Sequence, residues 1–260
     1  MEGMTTTVLP VAARGGPLTW SGARREERIA YLVAAVLFAS GIVHVIVLLI
    51  TGRTWIGPVS LRKAATFGLS FGLTLASVTW ALSFLAVRRR ALLLGLFTAA
   101  CVTETVLVTM QAWRGVPSHF NFETPFDSAV SMTLAAGGGV IIVTALGFAA
   151  SVARPSGDPV LRLAIRFGIG SLLVALGTGA AMIADGVTKS RGGHPQLAYD
   201  TAGQLKPLHA VAMHGILVVP ALAWALRFTP WGERTRIRAV WAAIAVYSVA
   251  IAAAAVSSLG

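Results

Sequence analysis

Residues 29–51, IAYLVAAVLFASGIVHVIVLLIT, contain no Asp, Glu, Lys or Arg, and their one histidine is His44. At ~1.5 Å of rise per residue, an α-helix needs about 20 such residues to cross ~30 Å of hydrocarbon, so this run is long enough to span a bilayer. It starts well into the chain and lacks a small-residue cleavage site, which makes it a retained first helix rather than a secretory signal. Working outward from it, six more runs of the same kind follow at 64–87, 91–113, 127–152, 160–184, 206–227 and 237–258. Their continuous apolar character excludes the alternating pattern of a membrane β-barrel. The expected fold class is therefore all-α: a polytopic transmembrane bundle of seven helices over 29–260, in the plasma membrane. A polar, Gly/Pro-containing tail over 1–28, cytoplasmic and partly disordered, precedes it.

Composition agrees. The chain has 260 residues, of which 56% are hydrophobic and 12% charged, and its mean hydropathy is +0.76. A soluble core of this size cannot bury so much apolar surface, so the lipid bilayer is the expected partner. The net charge of +11 would suit a nucleic-acid binder, but the basic residues fall in short clusters between apolar runs, which excludes that class. They act instead as topology signals. With the N-terminus inside, Arg14, Arg24, Arg25, Arg28, Arg88, Arg89, Arg90, Arg154, Arg162, Arg166, Arg227, Arg234, Arg236 and Arg238 are cytoplasmic. Only Arg53, Arg62, Lys63, Arg114, Lys189, Arg191 and Lys206 are outside. That imbalance predicts N-in/C-out. Cys101, the single cysteine, excludes an intramolecular disulfide. Gly137, Gly138 and Gly139 in the fourth run, with Gly168, Gly170, Gly177 and Gly179 in the fifth, are the expected points of close helix approach.

Polar side chains inside spans are costly, so each marks a candidate site. They are His44, Glu104, Gln111, Asp185, Lys206, His209 and His214, all in the outer half on this topology, and the inner half is expected to hold nothing comparable. The richest stretch is 103–127, TETVLVTMQAWRGVPSHFNFETPFD. Glu104, Gln111 and Arg114 share one helical stripe there. Ser118, His119 and Asn121 follow as a polar lid, joined by Gln111 and His209, and Asp127 or Ser128 caps the next helix. Pro220 is a local cause for a kink in the sixth run.

Three functional readings arise. In the first, His44 and His214 hold a b-type haem, with Arg114, Arg62, Lys63 and Lys206 available to its propionates. A variant replaces the haem with a divalent metal ion on His44, His214 and Glu104 or Asp185, leaving a position for water; Glu104 and Asp185 are then the catalytic carboxyls of lipid-modifying chemistry. In the second, the chain is a carrier or receptor for a small or amphipathic ligand, proton-coupled through Glu104. In the third, it is a structural or accessory subunit. The seventh run, with neither lysine nor histidine over 239–258, excludes a retinal Schiff base and the HxxxH pair of seven-helix zinc hydrolases.

Overall fold

A computed structural model describes residues 22–52, 54–153 and 157–259. It is all-helical, with α1 at Arg25–Thr51, α2 at Arg62–Ser83, α3 at Arg90–Arg114, α4 at Pro125–Val152 and α5 at Pro159–Arg191. The short α6 at Pro195–Thr201, α7 at Lys206–Ala225 and α8 at Glu233–Leu259 complete it. Of these eight, all but α6 are long and apolar enough to cross a membrane. The expected runs correspond one to one with these seven helices, and the differences lie at their ends. Helix α1 begins at Arg25, so Arg25–Arg28 belong to the bundle and not to the tail, the rest of which lies almost wholly outside the described residues. Helix α5 continues to Arg191 instead of 184, and α6, unforeseen in the sequence, packs against it.

The helix ends follow local chemistry. Proline, which has no N–H to leave unsatisfied and a φ suited to a first turn, opens α4, α5, α6 and α7. Asp158 caps α5 by accepting the Val160 N–H at 2.8 Å. The cap of α4 is Thr124, whose Oγ1 accepts the Asp127 N–H at 3.1 Å. This corrects the expectation of Asp127 or Ser128, and it frees the Asp127 carboxylate for another task. Gly52 and Gly115 end α1 and α3 in the left-handed conformation that glycine adopts without strain.

Each helix buries one stripe. Along α1 it comprises Glu27, Ala30, Ala34, Leu37, Gly41, His44 and Leu48, and along α3 it includes Arg90, Leu94, Phe97, Cys101, Glu104, Val108 and Gln111. Three- and four-residue steps place such positions on a single face. The opposite faces expose Val36, Ile50, Val143, Val246 and Val256, a belt that water would penalise and hydrocarbon suits. Helix α1 packs on α2 and α3, α3 on α4, α4 on α5, and α7 on α5, α2 and α8.

Of the expected glycines, Gly168 meets the α7 backbone closely, with a Cβ there 2.9 Å from Ile216 Cα, and a further close approach lies at glycines outside the expected set. A Cβ on Gly68 would stand 2.6 Å from the Gly41 nitrogen, and one on Gly41 would stand 2.5 Å from the Leu69 nitrogen. Here α1 and α2 meet backbone to backbone. Gly138 and Gly139 face open space, as do Gly170 and Gly177, whereas Gly168 sits against Ile216 of α7. Sequence spacing identifies small residues, but only the crossing decides which of them touch.

Candidate functional site

Two polar layers lie at opposite ends of the bundle, with a lone carboxyl between them. The layer at the end where α3 gives way to α4 is centred on Asp127, which is 2% exposed. Its Oδ1 accepts Gln111 Nε2 at 2.9 Å and Arg114 Nη1 at 2.6 Å, while Oδ2 accepts the Thr124 hydroxyl at 2.7 Å. Arg114 also donates to Gln111 Oε1 and lies 4.7 Å over the Phe126 ring. Of the predicted stripe, Glu104 and Gln111 are buried, whereas the partly exposed Arg114 reaches in from the rim to Asp127, the residue expected as a cap. Charge-assisted bonds of this kind fix the α3–α4 connection.

Ser118, His119 and Asn121, the residues expected to form a lid over the Glu104 pocket, lie in that connection beside the Asp127 layer. Ser118 and Asn121 are buried. The Asn121 N–H donates to Ser131 Oγ at 3.2 Å, and Ser118 Oγ lies 2.9 Å from His119 Nδ1. His119 packs on Phe67 with ring centroids 5.8 Å apart. Burial, reinforced by the nearby Lys63 ammonium, holds its imidazole down to about 3, so the ring is neutral at physiological pH. Phe120 adopts a φ of 60°, a left-handed conformation unusual for an aromatic residue. It is kept there because its ring lies on Gly186, where a Cβ would come within 2.5 Å, and its carbonyl accepts the Ser190 hydroxyl at 2.7 Å. The lid is therefore pinned to both α4 and α5.

Lys63 stands close to both Arg62 and Lys206, the basic residues of the first turns of α2 and α7. Neither first turn holds an acidic residue. Cations at helix N-termini oppose the helix dipole, so these three residues gather positive charge on this rim against an unfavourable background.

Glu104 lies below, ten residues before the end of α3 and hence about 15 Å along its axis. It is 4% exposed. Its Oε1 faces Gly137 of α4, where a Cβ would come within 2.7 Å. Among the described residues no side chain hydrogen-bonds its carboxyl. Val108, Val130, Leu134 and the partly buried Phe67 form an apolar layer on the lid side, and Cys101, Phe97 and Ile141 belong to the main core beyond it.

The histidines do not assemble as expected. His44 is 6% exposed on α1, with Nδ1 2.7 Å from the Ser40 carbonyl and Nε2 accepting the Trp113 indole N–H at 3.0 Å. Both ring nitrogens are thereby engaged within the protein, and the tautomer is fixed with its proton on Nδ1. His214 is exposed on α7, its Nδ1 2.6 Å from the Ala210 carbonyl of its own helix. It lies off the buried stripe of Ala212, Gly215, Ile216 and Val219. His209 turns inward instead, 2.7 Å from the Ala175 carbonyl of α5. Asp185 is half exposed and paired with Lys189 at 2.6 Å, an arrangement unlike a desolvated catalytic carboxyl. Among the described residues no group of three or more His, Cys, Asp or Glu is placed to hold a metal ion. Among the described residues, His44 and His214 are not grouped with a carboxylate as a two-histidine, one-carboxylate metal centre requires.

The opposite layer was missed in the sequence, which assigned that end only topology signals. Glu27 and Arg90 are 4% and 6% exposed and paired through Nη1 and Oε1 at 2.8 Å. Arg24 reaches the same oxygen at 3.2 Å, and its N–H donates to Glu27 Oε2 at 3.0 Å. Arg90 also donates to the Leu85 carbonyl. Helical periodicity was the available signal, because Glu27 lies on the stripe of Ala30, Ala34 and His44, and Arg90 on the stripe of Glu104 and Gln111.

Comparison with protein-family models, curated proteins and solved structures gave no match.

Proposed function

We propose that the chain is a plasma-membrane carrier or receptor for a small amphipathic ligand, oriented N-in/C-out, in which Glu104 takes up and releases a proton. The observation that carries this reading is the placement of Glu104: a carboxyl about 15 Å from the end of its helix, facing a glycine and in no ion pair among the described residues. A structural role would be served equally well by an apolar residue at this point. An ionisable group deep in a span is expensive, and it is retained where a proton, ion or substrate path needs it.

Further support comes from what surrounds it. The electropositive rim of Arg62, Lys63 and Lys206 stands at the outer face of the proposed orientation and draws anionic groups toward the lid. The Phe67, Val108, Leu134 layer separates lid from carboxyl, as in an occluded state. Movement of α4 against α3 at Gly137 opens that layer and changes the hydration of Glu104, which couples ligand passage to proton transfer. The haem and metal readings fall behind this one, because His44 has both nitrogens engaged and His214 is exposed.

Proteoliposomes containing a pH-sensitive dye test the proposal. An imposed negative-inside potential is expected to drive proton uptake in the wild type and not in Glu104→Gln. Equal uptake by both proteins would overturn the role given to Glu104. A hydrophobic carbodiimide, which attacks protonated carboxyls in apolar surroundings, should label the wild type at Glu104 and leave the variant unlabelled there.

A further inference from the structure

The end of the bundle that carries the first turn of α1 contains a cleft of about 400 Å³, lying between that turn and the connection from α2 into α3. Its walls are of two kinds. Arg24, Arg88, Arg90 and Glu26 supply charge, and Leu85, Ala86 and Val87 supply an apolar side. We propose that this cleft binds the phosphate ester of an anionic amphiphile, an anionic phospholipid headgroup being the source the setting favours.

Charge is the first argument. Three guanidiniums and one carboxylate line the cleft. Behind them, the one carboxylate of Glu27 is shared by Arg24 and Arg90, so it does not neutralise both. Arg88 is exposed and has no ion pair among the described residues. Arg25 and Arg89 stand next in sequence to the lining residues and add the same sign. A dianionic or monoanionic phosphate entering here meets an unbalanced positive field.

Order is the second. Glu27 fixes Arg24 at 3.2 Å and Arg90 at 2.8 Å, and the Leu85 carbonyl takes a further bond from Arg90. Of the three guanidiniums, the half-exposed Arg24 is thus held in place before a ligand arrives, so little entropy is lost when it binds, while the buried Arg90 contributes its charge from behind. A planar guanidinium fork matches phosphate oxygens in pairs, which a lysine ammonium does not.

Shape and place are the third. The volume falls within the ~300–1,000 Å³ of small-ligand sites. The cleft lies where the apolar helices α1 and α3 begin, which in the proposed membrane orientation is the level of lipid headgroups. Leu85, Ala86 and Val87 then face the glycerol and first acyl methylenes, while the arginines face the phosphate. Neither this placement nor the charge argument depends on Glu104 carrying protons.

The test uses the full chain in phosphatidylcholine nanodiscs, titrated with phosphatidylglycerol and followed by native mass spectrometry of retained lipid. Each cleft arginine near an anionic headgroup is worth about a five-fold change in affinity. Arg88→Gln is therefore expected to weaken phosphatidylglycerol retention about five-fold, and Arg24→Gln with Arg88→Gln by more. Arg234→Gln, which removes a basic residue outside the cleft, should leave it within two-fold. Sodium phosphate added to discs of phosphatidylcholine alone separates the sources. Thermal stabilisation by phosphate that Arg88→Gln abolishes supports the same site with free phosphate as its ligand. Unchanged retention in both cleft variants, or equal weakening by Arg234→Gln, would overturn the proposal. Because Arg88 is exposed, its variant should fold, and an unchanged thermal transition in phosphatidylcholine checks that it does.

Discussion

Removing Arg90 or Glu27 should expose how the arginine-rich end of the bundle is held together, and the two removals should not cost the same. Both side chains are more than nine-tenths buried and meet at 2.8 Å. Breaking such a pair by deleting one partner typically costs about 3–5 kcal/mol, because the other charge is left desolvated. Arg90→Met leaves Glu27 with the Arg24 guanidinium at 3.2 Å and the Arg24 N–H at 3.0 Å. The Arg24 side chain is 45% exposed, so it offsets only about 1 kcal/mol, and the expected loss is about 2–4 kcal/mol. Glu27→Gln keeps a side chain able to complete the N-terminal capping box. It strands the Arg90 charge with the Leu85 carbonyl, so the expected loss is the full ~3–5 kcal/mol. Glu27→Leu combined with Arg90→Met removes both charges and should cost about 1 kcal/mol or less, since a buried pair replaced by apolar side chains is often close to neutral. Equilibrium unfolding of the four proteins in detergent micelles measures the cycle. Additive losses below about 1 kcal/mol for each single variant would refute the reasoning, because they would mean that water reaches the pair.

Other outcomes follow from other parts of the bundle. Gly68→Ala should destabilise by about 1–3 kcal/mol in the same unfolding assay, since its Cβ would meet the Gly41 backbone at 2.6 Å, while Gly138→Ala, facing open space, should be neutral or stabilising. His119 takes a proton near pH 6.5 when unfolded but only at about 3 when folded. Stability should therefore be unaffected by this group above pH 6.5 and fall by up to about 1.4 kcal/mol per pH unit as pH drops toward 3. His119→Phe should flatten that slope in urea titrations at stepped pH. Asp127→Ala should loosen the lid by about 2 kcal/mol, because it strands Gln111, Arg114 and Thr124 together, and hydrogen exchange over 115–124 should accelerate. His44→Phe should shift the Trp113 emission by removing the acceptor of its indole N–H, with no change in visible absorbance.

Much of this architecture was legible in the chain itself. Seven apolar runs determine seven long helices, because in hydrocarbon each backbone N–H and C=O must be satisfied within its own segment. Periodicity placed Glu104 and Gln111 on an inward face for the same kind of reason, since lipid rejects both. Glu27 and Arg90 lie on the same inward periodicity as the buried stripes of their helices, but the sequence placed Glu27 in the tail and Arg90 among the topology signals.

Tertiary structure decided which inward residues meet. Asp127 and Gln111 lie 16 positions apart and Glu27 and Arg90 lie 63 apart, and no local rule pairs them. His44 and His214 appeared matched in depth, yet depth along two helices says nothing about their rotation or adjacency. The packing gave His44 to Trp113 and turned His214 outward. The same holds for the glycines: composition marked Gly137–Gly139 and four glycines of the fifth run, but of these only Gly168 meets a neighbouring backbone, and the α1–α2 crossing at Gly41 and Gly68 was not marked at all. Sequence sets what each helix must hide, and the rotation of each helix against its neighbours sets what it is hidden against.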